Sequence, residues 1–183
     1  IWNGMESIKW LETLSAPFLL VCGAALLVWA ISEGGSLGAL MAQPATKPLS
    51  ETFAVALTSG VSFWATLALN IPDFSRYARS QRDQAIGQAV AMPTTMTLFA
   101  FIGVVTTAAT VVVYGKAIAY PDQLVTRFGN PLVVGISMLG LALATLSTNN
   151  AANVVSPAND SANLAPARIS YRTGGLITAV VGV

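Results

Sequence analysis

The sequence predicts an all-α, polytopic transmembrane protein, and three observations carry that prediction. The 183 residues are 54 % hydrophobic and only 9 % charged, against about a quarter charged in soluble domains. The nine Lys or Arg and eight Asp or Glu residues stand in clumps. No charge lies between Glu12 and Glu33 or between Glu51 and Asp73, and none lies within 84–115 or 128–159. Each of these windows holds at least 20 residues. At about 1.5 Å rise per residue, about 20 apolar residues cross a hydrocarbon layer roughly 30 Å thick. The windows are too long for barrel strands of about 10 residues and lack their alternation, so helices are the spanning form.

The spans fall at 14–31, 53–71, 89–114 and 132–155, and a fifth begins at Thr173. Pro17 should kink the first. The stretch 34–50 carries Gly34, Gly35, Gly38, Pro44 and Pro48 and reads as a loop. Lys9, Arg76, Arg79, Arg82, Arg168 and Arg172 fall on one side of this topology, and Lys47, Lys116 and Arg127 on the other. The excess of positive charge marks the first set as cytoplasmic, so the first span runs outward. No soluble domain remains. The chain opens without a start methionine and ends in an apolar run, so 1–183 reads as a fragment of a single transmembrane domain.

Composition excludes several chemistries. Without histidine there is no imidazole base, HExxH zinc site or histidine-ligated haem. Cys22 is alone, so it forms neither a disulfide framework nor a CxxC site and reads as a small apolar filler. A net charge of +1 provides no basic field for nucleic acid. The spans hold no charged acid or base, so the chain is not read as an enzyme.

Polar groups inside a bilayer are costly unless paired or facing a cavity. The fourth span is the richest in them, through Thr145, Ser147, Thr148, Asn149, Asn150 and Asn153. At about 100° per residue, Ala144, Ser147 and Thr148 share one arc, and Asn149 and Asn153 lie on the adjacent face. Two hydroxyls and a backbone carbonyl are hard, neutral oxygens suited to an alkali cation. Paired amides both donate and accept, matching the N–H and C=O groups of a uracil, purine, allantoin or hydantoin ring. Ser and Thr also bond back to the carbonyl at i−4, and Asn joins helices, so spacing alone leaves both readings open. In the second span Trp64 lies near mid-membrane. Its indole suits stacking on a flat heterocycle, or packing between helices with its N–H bonded to a neighbour.

Other residues read as architecture. Glu6, Lys9 and Glu12, at i+3 spacing, read as a solvated cluster and not a proton relay. Asp73 and Arg76 form a surface pair, and Trp10, Trp29, Tyr114, Tyr120 and Tyr171 anchor at the interfaces. Asp160 caps a short segment after the fourth span.

The stretches Asn3 to Lys9, Ala16-Pro17-Phe18, Phe63 to Tyr77, Ser147-Thr148-Asn149 and Pro157 to Asp160 closely resemble the nucleobase-cation symporters. This is the family of cytosine/purine, uracil, thiamine and allantoin permeases, and the allantoin, uracil and hydantoin branch looks nearest. The resemblance implies a LeuT-type core of two inverted five-helix repeats, of which this chain supplies helices five to eight and the start of nine. It further implies that Trp64 stacks on the substrate and that Asn149 and Asn153 hydrogen-bond it, Asn153 most directly. It implies a sodium site at the Ala144 carbonyl and the Ser147 and Thr148 hydroxyls, although many relatives couple to protons. No cofactor is implied beyond the coupling Na⁺ or H⁺.

The expected function is a secondary active symporter importing a nucleobase or related planar heterocycle. It is set in the cell membrane, with lipid and the remaining helices of the full-length protein as partners. A membrane-embedded accessory subunit and a passive channel are the alternatives.

Overall fold

The computed structural model describes residues 5–45 and 47–182, with the side chains of 5–7, 66, 67 and 69 outside that description. Asn3, Gly4 and the Glu6 side chain, named above, therefore lie outside the described residues. The described chain is helical throughout. In order it forms α1 (Met5–Gly34), α2 (Leu37–Met41), α3 (Leu49–Ser75), α4 (Gln81–Tyr114), α5 (Pro121–Val125) and α6 (Pro131–Asn150). A π-helical turn (Ala151–Val155), α7 (Ser156–Leu164) and α8 (Tyr171–Gly182) follow.

Local chemistry sets the ends of these helices. Gly35, at φ 94°, takes the left-handed conformation that ends α1. The Ser36 hydroxyl then accepts from the Ala39 N–H at 3.1 Å and starts α2. The loop expected over 34–50 thus contains a helical turn. It is held because Leu40 seats so closely on Gly34 that a Cβ there would stand 2.6 Å from Leu40 Cδ2. Ser80 caps α4 through the Asp83 N–H at 3.0 Å, and Gly115, at φ 71°, ends it. Asn130 Oδ1 accepts from the Leu132 N–H at 2.9 Å, with Pro131 opening α6.

Three segments, Ile8–Gly34, Gln81–Tyr114 and Pro131–Leu164, are long and apolar enough to cross a membrane. The 27 residues of α3 cover the predicted second span and reach about 40 Å at helical rise. Many large apolar side chains, Leu14, Val21 and Val28 of α1 among them, are exposed. In water such a surface would be costly, whereas lipid tails solvate it.

The fourth span ends later than expected. The helix passes through the π turn and continues to Leu164, with Pro157, which has no N–H to give to the preceding turn, just beyond it. Asp160 is an exposed residue inside α7, not a cap. The next helix is capped instead by Ser170, whose hydroxyl accepts the Thr173 N–H at 3.2 Å.

The chain divides into two compact units. One comprises Glu6–Gln43 and Ala89–Thr148. Its core is Ala30, Leu40, Val105 and Ala109, with Leu27, Trp29, Ile31, Phe101 and Ala108 packed around them. Small residues at the centre let the helices approach closely. Trp29, near the end of α1, stands edge-on to Phe128 with centroids 5.4 Å apart. The Thr110 hydroxyl accepts the buried Ile118 N–H at 2.9 Å and donates to the Thr107 carbonyl at 2.7 Å, tying the segment after α4 back onto it. The second unit comprises 44–88 and 149–182. In it α7 packs on α8, on the π turn and on α3.

Candidate functional site

In the first unit α1 and α6 run antiparallel, as two contacts show. A Cβ on Gly140 would lie 3.6 Å from both Cys22 Sγ and Phe18 Cε1. Seven residues further along α6, the Ser147 hydroxyl donates to Glu12 Oε1 at 2.7 Å. Ser147 is buried, Glu12 and Ala144 are half-buried, and Thr148 is exposed. A cavity of about 770 Å³ between α1, α4 and α6 is lined by apolar residues including Leu19, Cys22, Ile102 and Leu141, and it reaches Ala144. Cys22 is a half-buried free thiol in this lining.

Ala144, Ser147 and Thr148 offer neutral oxygens. Ser147 gives its proton to Glu12, so its two lone pairs remain available, and the Ala144 carbonyl keeps one beyond its helical bond. Among the described residues no group of three or more Cys, Asp or Glu side chains gathers as a multivalent metal would require.

The Glu12 contact corrects the sequence reading. Lys9 is exposed as a solvated cluster demands, but Glu12 turns inward to the neighbouring helix. Ile8, Ser15, Cys22 and Trp29 recur every seven residues and none is exposed. That stripe was visible in the sequence, and Glu12 sits beside it.

In the second unit Asn153 Nδ2 donates to Asn149 Oδ1 at 2.6 Å. The spacing of four residues had placed these amides on one face, and they are joined there. Their pairing leaves the Asn149 NH₂, the Asn153 carbonyl and one Asn153 N–H for other partners, and both side chains are exposed. The pair straddles the start of the π turn, a distortion that recurs at functional sites. Trp64 on α3 is half-buried and stands edge-on to Phe63, with centroids 5.5 Å apart at 79°. One face of the indole is thus not covered by a parallel ring. No hydrogen bond or ring contact joins Trp64 to Asn149 or Asn153 among the described residues.

Two features of this unit were not foreseen. Ser156 Oγ and Asn159 Nδ2 are buried on one face of α7 without hydrogen-bond partners among the described residues. Asp73 is also buried, and it accepts from Arg76 Nη2 at 2.7 Å, so the expected surface pair has one foot inside the fold. Tyr171 stands near it, two residues before the predicted fifth span. Burial pushes its hydroxyl above the usual tyrosine range, and Tyr77 and Asp73 add to the shift.

Helices of this length and apolarity, with polar side chains gathered on α6, define an integral, multi-pass membrane protein. Residues 1–183 match the family described as permeases for cytosine/purines, uracil, thiamine and allantoin, and the chain belongs to that family. It is 42 % identical to a purine-uracil permease of Arabidopsis thaliana, over 100 % of this chain and 31 % of the relative. It is 40 % identical to an allantoin permease of Bacillus subtilis (strain 168), over 99 % of this chain and 38 % of the relative. A hydantoin permease of Microbacterium maritypicum is 29 % identical, over 98 % of this chain and 39 % of the relative. The chain therefore spans between about three and four tenths of the length of these relatives. No solved structure matches it. These relatives are transporters by name, in keeping with the expectation that the chain is not an enzyme.

Proposed function

We propose that the chain is part of a cation-coupled symporter that moves a planar heterocycle such as uracil, allantoin or hydantoin across the membrane. The chain acts as one piece of a single transmembrane domain, helices five to eight and the start of nine of a LeuT-type core. The observation that carries the proposal is the Asn153–Asn149 amide pair at 2.6 Å beside the π turn, in a member of a permease family.

An imide or ureide ring presents adjacent N–H and C=O groups, and the amide pair offers the complementary donors and acceptor. Trp64 supplies a flat face for stacking. Ala144, Ser147 and Thr148 supply oxygens for the coupling cation. A cation that binds the outward-open state more tightly than the inward-open one biases the transporter towards loading, and bound heterocycle then favours occlusion. Each ligand shifts the equilibrium only by its difference in affinity between the states.

Uptake of radiolabelled uracil, allantoin and hydantoin by the full-length protein tests the proposal, with sodium replaced by choline and the pH varied. Concentrative uptake abolished by an ionophore is expected. Equilibration without concentration would indicate a passive channel, and no uptake an accessory subunit.

A further inference from the structure

We infer that Glu12 is the anionic member of a sodium site on α1 and α6. It holds the Ser147 hydroxyl as a ligand and sets a full negative charge beside the ion. The inference rests on the symporter reading and adds to it a residue outside the Ala144, Ser147 and Thr148 set.

A hydroxyl binds a cation through its lone pairs, so its proton has to point elsewhere. Ser147 is buried, and its proton is directed to Glu12 Oε1 at 2.7 Å. The carboxylate therefore fixes the hydroxyl rotor with both lone pairs turned away from itself. The second carboxylate oxygen carries no hydrogen bond among the described residues.

A half-buried carboxylate needs a positive partner. Neither 84–115 on α4 nor 128–159 on α6 contains Lys or Arg, and among the described residues the ion pair formed is Arg76 to Asp73, with none at Glu12. A mobile cation against Ser147 would neutralise the charge.

Ser15 adds an independent observation. It is buried, 2 % exposed, and its Oγ has no hydrogen-bond partner among the described residues. It lies three residues from Glu12, on the same face of α1. The Glu12–Ser147 and Phe18/Cys22–Gly140 contacts bracket it, so the antiparallel register sets Ser15 at the level of Ala144. An orphaned buried hydroxyl is costly unless something fills its coordination. At that level it would supply one more neutral oxygen to an ion held by the Ala144 carbonyl.

The test uses the purified full-length transporter and follows its melting temperature and its heterocycle binding against NaCl, with choline chloride holding ionic strength constant. Sodium is expected to raise the melting temperature of the wild type. Glu12→Gln keeps an acceptor for the Ser147 hydroxyl and removes only the charge. It should raise the half-saturating sodium concentration tenfold or more in both readouts. A Glu12→Gln sodium curve that overlays the wild type would overturn the inference, as would a wild type that responds to pH but not to sodium. If Glu12→Gln does not purify, Glu12→Asp and Ser147→Ala serve: a weakened sodium response in both supports the inference, and an unchanged one in either overturns it. A wild type that binds no heterocycle under any ion condition sinks the symporter reading itself, whereas intact binding with an unchanged Glu12→Gln curve removes this inference alone.

Discussion

Gly174 and Ala158 meet backbone to backbone: a Cβ built on Gly174 would stand 2.7 Å from the Ala158 carbonyl oxygen and 3.0 Å from Ser161 Cβ. Neither neighbour is a flexible side-chain end that could swing aside. Gly174→Ala should therefore pry α8 from α7 and cost about 1–3 kcal/mol, the usual penalty of overpacking. A lowered melting temperature of the full-length protein in detergent is the expected readout, and an unchanged one would show that α8 shifts without cost.

Trp64→Ala removes the proposed stacking platform. Base–aromatic stacking is worth about 1–3 kcal/mol per ring, so heterocycle binding should weaken by roughly tenfold or more, and Trp64→Phe should retain part of it. Equilibrium binding of labelled allantoin or uracil measures this. Wild-type affinity in Trp64→Ala would remove the indole from the site.

Asn153→Ala breaks the amide pair and removes the carbonyl left over for a ligand. Loss of one hydrogen bond costs about 0.5–1.5 kcal/mol, and loss of the partner that orients Asn149 adds to it. Asn149→Ala should be the milder change, because Asn153 keeps its own carbonyl. A binding series over both variants and their double mutant checks the ranking, with non-additive losses expected for groups in contact.

Tyr171 titrates abnormally high, first because of burial and then because of Tyr77 and Asp73. Its folded-state pKa exceeds the unfolded one, so the stability it contributes is present below about pH 10 and is lost as the pH rises through the folded value. Alkaline destabilisation should therefore be shallower in Tyr171→Phe than in the wild type, measured as melting temperature against pH.

The helices and their order were legible because uncharged windows of at least 20 residues leave a bilayer few alternatives. The Asn149–Asn153 face was legible too, since residues four apart share a helical face whatever surrounds them. Contacts between helices were hidden. Nothing local in Glu12 says that it meets Ser147, 135 residues away, because that depends on the register of α1 against α6. The small helix α2 was missed because Gly and Pro at its flanks signal a loop, while Ser36 and the seat of Leu40 on Gly34 override them. The burial of Ser156 and Asn159 was likewise invisible, because the π turn resets which face of the helix points inward.

That turn, Ala151–Val155, behaves like a dislocation in a crystal row. It closes with one residue more than an α-helical turn holds, so every side chain beyond it sits about 100° from where an unbroken α-helix would carry it. Deleting Ala152 should erase the surplus and slow amide hydrogen exchange across residues 150–156. With it in place, Asn149 and Asn153 stand at the start of the offset, and Ser156 and Asn159 beyond it are carried to the buried face of α7.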